Sequence, residues 1–469
     1  MGPMNPSIPS KRDGLKTLLN QAQALSDDFT RDEVIAQIHQ TGKEICHESI
    51  RYNDAEKMMR SEKLDRILTS KIWGFPIMLA MLGVVFWITI AGANIPSSML
   101  AELFSWIEGY LTLAFKAIHA PDWLHGVLVL GLYRGLGWVV SVMLPPMAIF
   151  FPVFALLENF GYLPRVAFNM DRLFKGAGGH GKQSLTMAMG FGCNAAAIMS
   201  TRIIESPRER MMAILTNNFV PCNGRWPTLI LLASLFMAAG YTGGAQTLVT
   251  ASVVMGMVII GIIVTLAVSW ALSKTALKGV PTHYTLELPP YRRPKFWDTI
   301  LRSTLDKSLF VLKRAIIIAA PAGVITWILA NIMVGDMSVL EHVVAFLDPF
   351  AKALGLDGFI LMAFILGLPA NEIVLPILLM GYLSTGAMLE IENLTELKQL
   401  FLDHGWTWLT ALNMMLFSLL HYPCGTTLVN IYKETKSFKW TFLSFLIPTV
   451  LAIGVTFAIA QIARAMGWV

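Results

Sequence analysis

Apolar stretches of membrane-spanning length alternate along the chain with short polar links. A helix needs about 20 apolar residues to cross a bilayer. Residues 72–91 meet that length without a charge. Residues 135–157 are also free of charge, but Pro145, Pro146 and Pro152 interrupt them, which predicts a broken span. Residues 226–273 carry no charge and contain the turn signal Gly240-Tyr-Thr-Gly-Gly-Ala245, so they predict two spans joined tightly. Residues 315–335, 406–432 and 440–463 supply further spans. Residues 104–118 hold Glu108 and Lys116 and predict an interfacial amphipathic helix. Two shorter apolar pieces, 184–200 and 358–380, are rich in Gly or Pro. They predict re-entrant hairpins, because irregular backbone at membrane depth must be buried in protein or line a cavity. The expected fold is all-α and polytopic, with about seven to nine transmembrane helices of that length and two broken-helix gate motifs.

The polar links set an orientation. Residues 165–182, 202–210 and 274–307 are basic, whereas 337–348 and 389–403 lean acidic. Basic loops stay on the cytoplasmic side. Arg60, Lys63, Arg66 and Lys71 precede the first apolar run, so a cytoplasmic N-terminus is expected. Residues 1–71 are polar; 1–11 are Pro/Ser-rich, and 31–59 have helical spacing with Val34, Ile35, Ile38 and Ile45 apolar. The chain divides into a cytosolic segment (1–71), a first helix with its interfacial helix (72–123), a first gate repeat (124–275), a cytoplasmic loop (276–307) and a second gate repeat (308–469).

The two gate regions echo each other. Gly190-Phe-Gly-Cys-Asn194 recurs as Gly367-Leu-Pro-Ala-Asn371. Later in each half a Pro-Cys pair is followed closely by Gly: Pro221-Cys222-Asn-Gly224, then Pro423-Cys424-Gly425. The second half has a longer insert, the acidic loop around Glu390. With the orientation above, one half enters from each side of the membrane, which is the pattern of an inverted repeat. Such repeats place their sites near the midplane, at discontinuous helices.

Composition agrees with this picture and excludes others. Hydrophobic residues make up 55% of the chain and charged ones 14%, against about 25% charged in a soluble domain. Mean hydropathy is +0.58. The net charge of +5 lies in the links rather than in a stripe interleaved with aromatics, so nucleic acid is not an expected partner. Four cysteines without a C-x-x-C pair give neither a disulfide framework nor a zinc site. The polar start has no apolar h-region of a signal peptide.

A few polar side chains at the breaks carry the candidate chemistry. Glu372 is the one charge in residues 365–379, where a carboxylate costs about 2.5–3.5 kcal/mol on insertion scales. Such a group lines a path, forms an internal ion pair or stays protonated. Cys193, Cys222 and Cys424 each lie beside a helix breaker. Thiolate suits soft or borderline metals, and carboxylate adds affinity for divalent iron or manganese; a single Cys is otherwise a small buried hydrophobe. Asn194 and Asn371 occupy matched repeat positions, and their amides can coordinate a cation or cap a broken helix. His421 is a candidate ligand or a hydrogen-bonded core histidine. Arg134, Glu158, Arg225 and Arg314 sit at apolar edges, where pairing or snorkelling accounts for them. Most of the 26 methionines read as packing.

One motif is a decoy. Gly176-Ala-Gly-Gly-His-Gly-Lys182-Gln183-Ser184 nearly fits a phosphate-binding loop, but Gln183 stands where Ser or Thr should hold magnesium, and no hydrophobic strand precedes it. No nucleotide is expected to bind this chain.

Several of these motifs also carry a family resemblance. Leu157-Glu-Asn-Phe-Gly-Tyr-Leu-Pro-Arg-Val-Ala-Phe168, the run from Gly181 through Gly190-Phe-Gly-Cys-Asn194 to Arg202, Val220-Pro-Cys-Asn-Gly-Arg-Trp-Pro227, Pro369-Ala-Asn-Glu-Ile-Val374 and Tyr422-Pro-Cys424 resemble the membrane domain of ferrous iron transport protein B. The likeness runs from about Glu62 to the C-terminus. It implies two gate-type halves forming a pathway for Fe²⁺ as transported substrate, in the bacterial inner membrane. It points to Cys193, Cys222, Cys424 and Glu372 as the positions to test. Members of that family begin with a GTP-binding domain and a helical guanine-dissociation-inhibitor domain. Neither is intact here, so the resemblance implies work with a separate cytosolic GTPase subunit, or uncoupled from GTP, alongside a small accessory protein. Self-association into a homo-oligomer is a further expectation. Asn371 departs from the Lys common in the family. The residues themselves leave two alternatives. One is a carrier of another divalent metal or a nucleoside-like solute, to which Asn194, Asn217, Asn218 and Asn223 would offer hydrogen bonds. The other is a membrane scaffold recruiting a partner through residues 12–70.

Overall fold

The computed structural model describes residues 31–49, 55–70, 72–179, 181–279, 291, 295–384, 386–387 and 393–467. The Pro/Ser-rich start, His180, residues 280–290 and 292–294, and the loop around Glu390 lie outside them. Two compact units are present, residues 1–63 and 64–469. The first contains α1 (Arg31–Ser49), whose Ile38 and Ile45 are exposed. Helix α2 (Ala55–Leu68) runs across the boundary.

In the second unit, α3 (Gly74–Ala117) and α4 (Asp122–Phe160) form a long antiparallel pair. Helix α3 has 44 residues, about 66 Å at 1.5 Å per residue, twice the thickness of a bilayer's hydrocarbon core. Residues 104–118, expected as a separate interfacial helix, continue α3 without a break. Glu108 explains this, because it faces Arg134 on α4 at 2.5 Å and so lies between two helices instead of facing headgroups. Helix α4 also stays continuous through Pro145, Pro146 and Pro152, against expectation. Neighbouring elements pack against this stretch, and Ser308 Oγ donates to the Met147 carbonyl at 3.4 Å. Residues 126–133 of α4 widen into a π-helical stretch.

A gate half follows: α5 (Tyr162–Gly176), α6 (Lys182–Gly192), α7 (Asn194–Ser200), α8 (Pro207–Thr216), α9 (Trp226–Leu232) and α10 (Gly244–Lys274). After α11 (Phe296–Arg302) comes α12 (Leu309–Asn331), then a two-stranded hairpin, β1 (Met333–Val334) and β2 (Met337–Ser338). The second gate half is α13 (Val339–Ala353), α14 (Gly358–Leu366), α15 (Val374–Leu383), α16 (Leu394–Asp403), α17 (Trp408–Leu420), α18 (Gly425–Thr435) and α19 (Phe438–Ala465). Caps written in the sequence start several of these. Ser206 precedes Pro207 at the head of α8, Ser338 and Glu341 form a capping box on α13, and Asp357 caps α14. Helix α12 presses against α4 so closely that a Cβ on Gly323 would meet the Gly131 carbonyl at 2.4 Å.

Among the described residues, five helices are long and apolar enough to cross a membrane, or six if the bent pair α13–α14 is one span. The seven to nine spans expected included apolar runs that fold as pairs of short helices meeting at a break. One hydrophobic core joins both halves, from Phe150 and Phe154 on α4 through Ala195 and Leu215 to Leu378 and Met414.

The hairpins α5–α6 and α13–α14 match residue by residue. Asp171 and Asp348, Lys175 and Lys352, Gly181 and Gly358, Gly190 and Gly367, and Asn194 and Asn371 are all 177 positions apart. Gly181 N donates to Asp171 Oδ1 at 2.9 Å, and Gly358 N donates to Asp348 Oδ1 at 3.1 Å. Lys175 pairs with Asp171 and Lys352 with Asp348. Gly178 and Gly355, also 177 apart, both turn left-handed, with φ of 77° and 70°.

A polar cluster anchors α2 to α5. Arg165 Nε and Nη2 donate to Asp65 Oδ1 and Oδ2 at 3.0 and 3.2 Å. Tyr291 donates its hydroxyl to Asp65 at 2.6 Å, and the guanidinium stacks over its ring at 4.2 Å. Partial burial pushes the Asp65 carboxyl up, but the hydrogen bonds from Arg165 and Tyr291 outweigh it and hold the group below its usual value. Burial and the bond to Asp65 push the Tyr291 phenol up to about 12. A depressed carboxylate stabilises above its unfolded value, near 4, and loses that contribution as pH falls through its folded value. A raised phenol stabilises below its unfolded value, near 10, and loses that contribution as pH rises through about 12. Asp65→Asn is therefore expected to lower the unfolding midpoint at pH 7 by about 1–3 °C. The gap should close as pH falls below the carboxylate range, read by thermal unfolding in detergent. A gap that stays constant down to acid pH contradicts this account.

Candidate functional site

Four chain breaks meet at the centre of the second unit. The first ends α6 at Cys193, whose backbone is extended (φ −152°, ψ 118°), before α7 begins at Asn194. The second ends α14 at Gly367-Leu-Pro-Ala370. Ala370 is the repeat equivalent of Cys193 and has nearly the same backbone (φ −153°, ψ 128°). The third follows α8. A turn at Asn217–Phe219 leads into extended Val220-Pro221-Cys222, and a turn at Asn223–Arg225 starts α9. The fourth runs from His421 to Cys424, whose extended backbone caps α18. Proline or a Gly pair at each break removes the donor or the stiffness that a continuous helix needs.

The breaks interlock both within the second half and across the two halves. Gly425 N donates to the Leu368 carbonyl at 2.7 Å. The Tyr422 hydroxyl reaches the Phe364 carbonyl, also at 2.7 Å. Asn371 Nδ2 approaches Cys222 Sγ at 3.7 Å. The Glu372 carboxylate lies against Gly224, where a Cβ would stand 2.4 Å from it. Only the absent side chain at Gly224 makes room for this carboxylate.

Arg225 is the strongest tie and is 1% exposed. Its Nη1 donates to the carbonyls of Asn218 (2.7 Å) and Leu419 (3.0 Å). Its Nη2 reaches Asn218 Oδ1 and the His421 and Tyr422 carbonyls at 3.2–3.4 Å. The guanidinium thus collects acceptors left by the unwound ends of α8 and α17. Read from the sequence as an edge residue, Arg225 is instead at the centre. An Arg immediately after Pro-Cys-Asn-Gly in an apolar run was the signal for that placement.

The candidate ligands fall into near and distant sets. Cys193 is within electrostatic reach of Cys222 and Cys424, and Glu372 of Cys222 and Cys424. Cys424 Sγ has Thr427 Oγ1 at 3.2 Å. Asn371 touches this group through Cys222, but Asn194 accepts from Asn217 Nδ2 at 3.2 Å. His421 is buried among Phe364, Phe417 and Tyr422, with Nδ1 at 2.8 Å from the Ser418 carbonyl, which makes it a hydrogen-bonded core histidine. Among the described residues no three His, Cys, Asp or Glu side chains already form a coordination sphere. In the decoy motif, Lys182 pairs with Glu205 and Gln183 buries its amide against Thr216 and Ser269.

Broken helices meeting in the core of apolar, span-length helices define a multi-pass helical membrane protein with a gate domain. The family model described as "Gate: Nucleoside recognition" matches residues 140–236 and 312–438, and the one described as "Ferrous iron transport protein B C terminus" matches 254–307. The Fe(2+) transporter FeoB of Staphylococcus aureus (strain MSSA476) is 32% identical over 90% of this chain and 62% of its own length. FeoB of Methanocaldococcus jannaschii is 28% identical over 87% of the chain and 60% of its own length. An Fe(2+) transport protein A/FeoB fusion protein of Porphyromonas gingivalis is 27% identical over 88% of the chain and 53% of its own length. No solved structure matches significantly. The chain belongs to the FeoB family as a membrane-region protein, and it spans about three fifths of the length of the FeoB relatives.

Proposed function

We propose that this chain conducts Fe²⁺ as its substrate across a bacterial inner membrane, through a path at the four breaks. The observation that carries this reading is that Cys222 and Cys424 lie within electrostatic reach of Glu372, and Cys193 within reach of those two thiols, at positions where both halves unwind. Unwound backbone offers carbonyls to an ion, thiolates match a borderline divalent metal, and a carboxylate adds charge. The ion would shed water on entering and meet a thiol from the first half and Glu372 from the second. Asn194 and Asn371 are kept as outer candidates. The matched hairpins support an inverted repeat, with the basic links and the N-terminus cytoplasmic. A separate GTPase, an accessory protein of the kind fused in the P. gingivalis relative, and self-association complete the proposal. A nucleoside-like substrate is less well served, because the amide nitrogens of Asn217 and Asn218 already donate to Asn194 and the His421 carbonyl.

The test is uptake of Fe²⁺, held reduced, into proteoliposomes containing the purified chain. Saturable influx above empty vesicles, competed by other divalent ions but not by nucleosides, is expected. Absence of influx, with or without an added GTPase, would overturn the reading.

A further inference from the structure

Helices α7 and α18 both start at a candidate ligand. Cys193 caps α7 and Cys424 caps α18, and the two helices pack together. Nine residues separate Cys193 from Arg202 and ten separate Cys424 from Glu434, so each far end is about 15 Å from its thiol, half a hydrocarbon core. At that far end the helices are locked. Arg202 holds Glu434 with a fork of three hydrogen bonds at 2.6–3.1 Å. Arg210, on α8, donates to Glu434 Oε2 at 2.6 Å. The Glu434 side chain is 5% exposed although Arg202 is 68% exposed, so the carboxylate is enclosed and the lock faces outward. One turn nearer the thiols, Asn430 donates to the Ala195 carbonyl at 3.0 Å and accepts from Arg314 on α12. All of these bonds except the one from Arg314 join the first half to the second.

We propose that Glu434 is a positioning residue that holds α7 against α18 and so closes the thiols off from the basic face of the membrane. An ion at Cys193 and Cys424 can leave toward that face only if the helices part, and parting them breaks the bonds to Glu434. The inference rests on the transport reading for its purpose, but not for its test.

The test measures how fast a charged, membrane-impermeant thiol reagent, added at the basic face, modifies Cys193 and Cys424. The background carries Cys46→Ser and Cys222→Ser. Glu434→Gln keeps the shape and removes the charge, and loss of one charge-assisted bond is expected to speed labelling about tenfold. Replacing Glu434 by Arg together with Arg202→Glu and Arg210→Glu is expected to restore slow labelling, which a general loss of packing would not. Unchanged labelling in Glu434→Gln overturns the proposal. So does fast labelling in the charge-swapped protein when its elution profile matches the parent. Labelling needs no iron, so fast labelling of Glu434→Gln together with no Fe²⁺ influx through the parent chain would support the latch and reject the transport reading.

Discussion

Glu372→Gln is expected to reduce Fe²⁺ uptake by about 10- to 100-fold, the loss of one charged ligand interaction. Expression and gel-filtration behaviour should remain those of the parent. The variant is nearly isosteric, so it fits the same space against Gly224, and it removes only the negative charge. A carboxylate at the membrane's centre costs about 2.5–3.5 kcal/mol to place, which a merely structural position would not require. Gly224→Ala provides an independent arm, because its methyl group occupies the carboxylate's position and must displace it. It should lower uptake while leaving Glu372 in the sequence. If Glu372→Gln transports as fast as the parent, the carboxylate is not a ligand and the proposed path is wrong.

Arg225→Met is expected to abolish folded protein. The guanidinium is the shared donor for five acceptors, in Asn218, Leu419, His421 and Tyr422. Removing it leaves buried carbonyls unpaired at about 1–3 kcal/mol each, and a few such losses match the whole stability of many proteins. Arg225→Lys keeps the charge but presents a point donor in place of a planar fork. It should yield a destabilised protein that still purifies. The measurement is the monodisperse fraction on gel filtration, with the unfolding midpoint for the Lys variant. Parent-like yield of Arg225→Met would show that the breaks hold together without this residue.

The parts of the fold set by local chemistry were legible before any coordinates. Charge-free runs became α10, α12 and α19, and the Gly240 turn separates α9 from α10. The breaks at Gly190 to Asn194 and Gly367 to Asn371 fell where Gly and Pro placed them. Proline was the misleading signal in α4, where three of them sit inside a continuous helix packed against α3 and α12. Glu108 misled for a related reason. It resembled a headgroup-facing charge, but its partner Arg134 lies 26 residues away, and pairing at that distance has no periodic signature. The site divided in the same way. That Cys193, Cys222, Cys424 and Glu372 each stand at a chain break was readable from the repeated breakers. That Arg225 ties them, and that Gly224 makes room for Glu372, depends on contacts between halves about 150–200 residues apart in the chain, and no local pattern reports such contacts.

The constant 177-residue offset between the two hairpins ends before the Pro-Cys pairs, which are 202 positions apart. A duplicated ancestor that kept its register through one hairpin and lengthened only the link beyond it would leave this trace. Cys193 and Ala370 show what such a duplication would allow. Their peptide planes are alike and their side chains are not. Once backbone geometry is secured by Gly, Pro and a buried Asp-to-amide bond, the side chain at the break is free to drift without unmaking the turn. Heredity then has two copies of one cradle in which to try different donors, and an asymmetric ion environment can evolve on a nearly symmetric frame.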